Sequence, residues 1–189
     1  SREIDGLDEL VRSSRIIILQ LEIPTGVVEH IIRKAKQYHV YTILNAAPAK
    51  EMDREVLKMV DCLIVNETEA SFYAGADMTD GDMVRAHADR LRQLTDGTVI
   101  VTLGSKGSML LGEEGAVPID PVKVERVTES TGAGDSYIGA FAYGKFKGMT
   151  DLQACCFAAR AASVTVTKIG AQEAMPCLSE MNESRLPDV

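Results

Sequence analysis

The residues best suited to chemistry in this chain are Ser130-Thr131-Gly132-Ala133-Gly134-Asp135-Ser136, which run into Tyr137-Ile138-Gly139-Ala140-Phe141. Gly132, Ala133 and Gly134 let the backbone approach a ligand closely, and a helix that starts there leaves its first N–H groups without internal partners. The same helix end carries partial positive charge and favours a phosphate or a developing anion. Asp135 stands within that turn, close enough to accept a proton from a group attacking the phosphate. An anion cradle and a base on adjacent residues point to phosphoryl transfer. The alternative is that Asp135 only caps the helix.

Other segments carry two readings each. Asn66-Glu67-Thr68-Glu69 places Asn at an N-cap and Glu three residues on, a capping-box variant that structure alone can explain. Thr102-Leu103-Gly104-Ser105-Lys106-Gly107 joins two strands through a glycine-flanked turn, as a tight hairpin would. Lys106 reads as a solvated turn lysine, and Glu22, just before Pro24, as a charged strand end. No GxxxxGK[ST] is present, and Gly132-Ala133-Gly134 lacks the third glycine of a dinucleotide fingerprint. Cys62, Cys155, Cys156 and Cys177 form no CxxC, and His30, His39 and His87 are scattered, so no zinc spacing appears. Buried, reduced thiols are expected.

These residues need elements to position them. Apolar β-rich runs alternate with amphipathic helices, the pattern of a mostly parallel α/β sheet. Strands are predicted at 16–21, 40–44, 62–65 and 98–103, with a hairpin from 108–111 to 116–119. Helices are predicted at 25–39, 54–60, 67–73, 82–94, 135–147 and 152–166. The first long helix presents Val28, Ile31, Ile32 and Ala35 on one face. Asn45, Asn66 and Gly104 follow strands directly, and ligands of open α/β sheets gather at such carboxyl ends. The 189 residues suffice for one substantial core. Twenty basic against 28 acidic residues give a net charge of −8, which disfavours a nucleic-acid partner. No apolar run approaches the ~18 residues that would span a bilayer, so no membrane partner is expected and the protein reads as soluble and cytoplasmic. The opening at Ser1, in what reads as a helical linker, looks cut from a longer protein.

Gly132-Ala133-Gly134-Asp135 with Gly139-Ala140 resembles the second signature of the ribokinase, or PfkB, family of carbohydrate kinases. Similar stretches follow in family order: Leu19–Pro24, Asn45–Ala49, Asn66–Ala70, Thr102–Gly107 and Gly170–Gln172. The resemblance implies a ribokinase-like three-layer α/β/α fold, with residues 1–189 as the C-terminal, nucleotide-binding portion of a single domain. The N-terminal strands, most sugar contacts and the lid would lie outside it. It implies ATP and a small-molecule sugar as substrates, ribose foremost, and a homodimer for the full-length protein. Another sugar or nucleoside kinase of the family, or a non-catalytic nucleotide-binding relative, is the alternative.

By the same resemblance, Asp135 is the general base and also touches the sugar, with Gly132, Ala133 and Gly134 as the anion cradle. Asn66 meets the phosphates, and Glu69 holds Mg²⁺ through water. Thr102, Leu103, Gly104, Ser105, Lys106 and Gly107 line the nucleotide, joined by Gly134 and Ala159, and Glu22 is a sugar-side contact. Glu129, Thr131, Thr165, Lys168, Gly170 and Ala174 match the family's K⁺ site, built largely from backbone carbonyls. Three positions depart from the pattern: Glu129 stands where Asp is usual, Ala174 where a hydroxyl is common, and Ala159 where a larger polar residue often sits.

Overall fold

The structure is a computed structural model that describes residues 8–113 and 115–181. Helix α1 (Asp8–Ser13) is followed by β1 (Ile16–Gln20), α2 (Thr25–Gln37), β2 (Tyr41–Asn45), α3 (Arg54–Leu57) and β3 (Cys62–Asn66). Then come α4 (Glu67–Ala74), α5 (Gly81–Ala86), α6 (Ala88–Arg92), β4 (Thr98–Thr102), β5 (Ser108–Gly112), β6 (Gly115–Ile119), α7 (Ala133–Phe146) and α8 (Asp151–Thr165). The six strands form one sheet in the order β1-β2-β3-β4-β5-β6. Strands β1 to β4 pair in parallel, with Leu19 beside Leu44, Leu44 beside Leu63 and Leu63 beside Val99. Parallel neighbours need a crossover of a dozen or more residues, so the short links from β4 to β5 and β5 to β6 make antiparallel turns.

The chain divides into two compact units: one runs to Leu103 and takes in Met109–Val117, and the other holds Gly104–Ser108 and the chain from Pro118 onward. The first unit owes its core to strands without alternation. Cys62, Leu63, Ile64 and Val65 are all buried, as expected of a parallel strand covered on both faces. Helix α2 buries Val28, Ile32 and Ala35, and Ile31 packs partly buried beside them, so the predicted face is observed. The predicted helix over 82–94 is two helices instead, α5 and α6. The His87 N–H reaches both the Met83 and Val84 carbonyls, and its ring nitrogen lies 3.0 Å from Met83 O. That tightening ends one helix before the next begins. The helix expected to reach Val60 stops at Leu57.

In the second unit, α7 and α8 pack through small residues. A Cβ at Gly144 would stand 3.0 Å from the Ala154 Cβ, and the Tyr143 and Phe157 rings stack with centroids 5.7 Å apart. Helix α8 is stopped at its start by a capping box, in which Thr150 Oγ1 accepts the Gln153 N–H at 3.2 Å and Gln153 Oε1 accepts the Thr150 N–H at 3.1 Å. All four cysteines are free, but only Cys62 and Cys155 are buried; Cys177 is exposed in a loop, against the expectation of buried thiols. Burial pushes the Cys155 thiol up to about 12, which makes it inert. Among the described residues no helix is long and apolar enough to cross a membrane.

One glycine has no room for a side chain. A Cβ at Gly97 would stand 2.2 Å from the Asp61 carbonyl oxygen, where the Thr98 N–H also bonds at 3.0 Å. Asp61 cannot retreat, because its carboxylate accepts the backbone N–H of Thr42 at 2.7 Å and its hydroxyl at 2.9 Å. Gly97→Ala should therefore cost about 1–3 kcal/mol in chemical denaturation. A change lost in the measurement error would mean that this crossing is not rigid.

Candidate functional site

Within the second unit, the start of α7 is set by Gly132, the N-cap residue, at φ 77° and ψ −3°. A Cβ there would strain the left-handed backbone and stand 3.3 Å from both the Cα and the carbonyl oxygen of Ala171. The Ala133 N–H bonds to Ser130 O at 3.2 Å and the Ser136 N–H to Gly132 O at 2.8 Å. Between them the amide of Gly134 has no acceptor among the described residues, and nothing lies within 4 Å of where its Cβ would be. Asp135 is exposed in this first turn. It borders a pocket of about 240 Å³ between α7, α8 and the stretch from Met175 to Met181, with Gly139, Ala140 and Phe157 in its wall. A backbone donor, a helix N-terminus and a carboxylate thus share one open turn beside a cavity.

Behind that turn two loops are tied together. The Thr128 N–H bonds to Val166 O at 2.7 Å, and the Thr128 hydroxyl to Thr167 O at 3.0 Å. Glu129 Oε2 accepts the Gly170 N–H at 3.0 Å and Oε1 accepts the Thr131 hydroxyl at 2.7 Å. The Gly170 amide first, and the Thr131 hydroxyl second, hold the Glu129 carboxyl below its ordinary range. Thr165 is buried, its hydroxyl 2.8 Å from Ser136 Oγ and 3.0 Å from Ala161 O. Lys168 turns away to a 2.7 Å ion pair with Glu180. Ala174 is buried in a single helical turn, and Ala159 is half-buried on α8. Of the six residues matched to a cation site, the structure links Glu129, Thr131 and Gly170 by direct hydrogen bonds. Thr128, which the sequence reading did not single out, completes the tie, together with Ser136 and Ala171, which it quoted only within longer motifs. The paired glycines Gly132 and Gly170 were the available signal.

The segment 102–107 is cut by the boundary between the units at Leu103. In the first, Thr102 ends β4 and the buried Leu103 follows it, and the Thr102 hydroxyl reaches Val65 O at only 3.4 Å. In the second, Gly104–Lys106 form one turn of 3₁₀ helix, with Ser105 and Lys106 exposed. Gly104, at φ 54°, has open space where a Cβ would be. Gly107 differs: at φ 90°, its Cβ would stand 2.1 Å from Ile119 O and 2.9 Å from Pro121 N. A side chain at Gly107 would thus collide with the protein's own backbone, whereas one at Gly104 would not.

In the first unit, Asn66 and Glu69 build a full capping box at the start of α4. Asn66 Oδ1 accepts the Glu69 N–H at 2.9 Å, and Glu69 Oε2 accepts the Asn66 N–H at 2.9 Å. The Asn66 side-chain amide also donates to Glu69 Oε1 at 3.0 Å. Glu69 is 6% exposed. Glu22 is exposed between β1 and α2. Among the described residues, no group of three or more His, Cys, Asp or Glu side chains is placed to hold a metal ion by itself.

A model of the pfkB family carbohydrate kinases matches residues 5–178. This chain belongs to that family. Ribokinase from Staphylococcus aureus is 33% identical over 181 residues, covering 95% of this chain and 59% of the relative. Deoxyribokinase from Salmonella typhi is 31% identical, over 96% of this chain and 59% of its own length. Among solved structures, ribokinase from Arabidopsis thaliana, complexed with ribose and ATP, superposes with a TM-score of 0.87 at 30% identity, over 94% of this chain and 57% of that one. The chain therefore spans 57–59% of the length of these three relatives, and its fold is ribokinase-like.

The loop tie has a pH signature. Glu129 has a lowered folded-state pKa, so its contribution is full above the ordinary glutamate value of 4.5 and is lost as pH falls through the lower, folded value. The Gly170 amide should then show a chemical-shift transition below 4.5 that disappears in Glu129→Gln. A transition surviving in that variant would assign the titration to another group.

Proposed function

We propose that this chain is the nucleotide-binding, C-terminal portion of an ATP-dependent sugar kinase, with ribose as acceptor and ribose 5-phosphate as product. The observation that carries the reading is the position of Asp135. It stands one residue after Gly134, whose amide has no acceptor among the described residues, in the first turn of a helix whose start Gly132 holds in the left-handed conformation. In this reading the ribose 5-hydroxyl gives its proton to the Asp135 carboxylate as its oxygen attacks the γ-phosphorus. The bond from that phosphorus to the bridging oxygen breaks, and ADP leaves with the electron pair. Backbone amides of Gly132–Asp135 stabilise charge on the transferring group, as positioning and electrostatics carry most of phosphoryl transfer. Asn66 is assigned to the phosphates, residues 102–107 and Ala159 to the nucleotide, and Glu22 to the sugar side.

Two ions belong to the proposal. Glu69 would hold Mg²⁺ through water, and each of its oxygens accepts one bond from Asn66, which leaves a lone pair apiece for a bridging water. A bound magnesium ion neutralises phosphate charge. Glu129, Thr131, Thr165, Lys168, Gly170 and Ala174 would surround K⁺, and the ionised Glu129 between two joined loops suits a monovalent cation. The intact protein is proposed to work as a cytoplasmic homodimer. Deoxyribose is the second acceptor to test, since a deoxyribokinase is 31% identical.

Asp135→Asn in the intact protein should lower kcat about 10²–10⁴-fold in a coupled assay with ribose, with the KM for ATP little changed. Turnover near wild type would remove Asp135 as the base, and turnover with deoxyribose alone would reassign the acceptor. Activity should also rise with K⁺, and Glu129→Ala should flatten that dependence. Indifference to K⁺, Na⁺ and Cs⁺ would exclude a functional cation site.

A further inference from the structure

A cleft of about 640 Å³ lies within the first unit at the end of the sheet opposite Asn66. Its position follows from the parallel strands. Lys58 and Asp96, on its wall, precede β3 and β4, and the Asp96 N–H bonds to Lys58 O at 3.3 Å. Asn66 and Thr102 close the other ends of the same strands, about 16 Å away at ~3.3 Å per residue. No residue placed in the proposed kinase machinery lines this cleft.

Its electrostatics run against those of the chain. Arg54, Lys58, Arg90 and Arg92 face it with only Glu55 and Asp96 as carboxylates, in a protein of net charge −8. The cations are loosely held. Lys58 is 3.9 Å from Glu55, and Arg90 makes a 3.4 Å bond to Ala74 O. The Arg54 and Arg92 side chains have no hydrogen bond or ion pair among the described residues. Arg92 is half-buried and Arg54 exposed, so the long arginine stems can lie along the wall while their charged heads stay open to a ligand. Four cations around one cleft repel one another unless an anion joins them. Guanidinium groups present paired donors that match phosphate oxygens. The Tyr73 side chain adds a wall held in place by its hydroxyl, which donates to Lys50 O at 2.7 Å.

We propose that this cleft binds a small molecule carrying two or more phosphate charges, at a site separate from the one assigned to phosphoryl transfer. The volume admits a ligand up to nucleotide size. The inference stands on the first unit alone and does not depend on the kinase reading.

Inorganic tripolyphosphate is the probe, titrated into the protein and followed by amide NMR at low and physiological salt. Signals of residues 54–58 and 90–96 should shift, and in Arg54→Ala/Arg92→Ala the dissociation constant read from them should rise at least about tenfold. Signals of residues 132–135 report any binding at the α7 turn separately and should respond in the variant as in wild type. Silence of residues 54–58 and 90–96 at millimolar probe, or equal shifts in the variant, would overturn the proposal. If that variant does not fold, Arg54→Lys/Arg92→Lys keeps the charge and loses the fork. Its affinity should also fall, and an unchanged value would overturn the proposal equally.

Discussion

Parallel pairing of β1 to β4 is the constraint from which the first unit follows. Each parallel neighbour requires a return path, and those paths carry the helices that pack on the sheet face bearing Leu19, Leu44, Leu63 and Val99. That is why Leu44, Leu63 and Val99 stand in line at the centre of the core. It is also why the polar residues that end strands, Asn45, Asn66 and Thr102, all emerge at one edge, while Lys58 and Asp96 are left at the other. One end carries Asn66 and Thr102, which the proposed function assigns to the nucleotide, and the other gathers cations that the fold holds only loosely.

In the second unit the corresponding control is a backbone conformation. Gly132 turns the chain in the left-handed region so that α7 starts with an open amide, and Ala171 stands where a side chain would have to go. The loop bearing Ala171 is held by Glu129 through Gly170 and by Thr128 through Val166 and Thr167. A substitution at Glu129, or at Gly170 far along the sequence, is thus expected to act on the position of Asp135 through this tie. The Glu129 side chain is long enough to bond both Thr131 in its own loop and Gly170 in the other.

Capping and chemistry are compatible at Asn66 and Glu69. The box between them satisfies the first amides of α4 and at the same time fixes two polar side chains at a strand end. A site made of residues already restrained by the fold loses little entropy when a ligand arrives.

Sequence alone determined the alternation of strands and helices, the helix that begins near Asp135, and the family. Each depends on local pattern: unbroken apolar runs such as 62–65, the i, i+4 face of α2, and contiguous signature residues. Tertiary structure decided what rests on contacts between distant residues. The break at His87 has no glycine or proline to announce it, because it arises from how His87 bonds to Met83 and Val84. Gly107 reads in sequence as one end of a glycine-flanked turn, and only the fold shows that the backbone of Ile119 and Pro121 stands where its side chain would be. The cleft between α3 and the α6–β4 link draws its cations from residues 54–58 and 90–92, more than thirty positions apart, and only the parallel crossover brings them together. Local periodicity specifies elements; which side chains then share a surface is set by the packing of those elements.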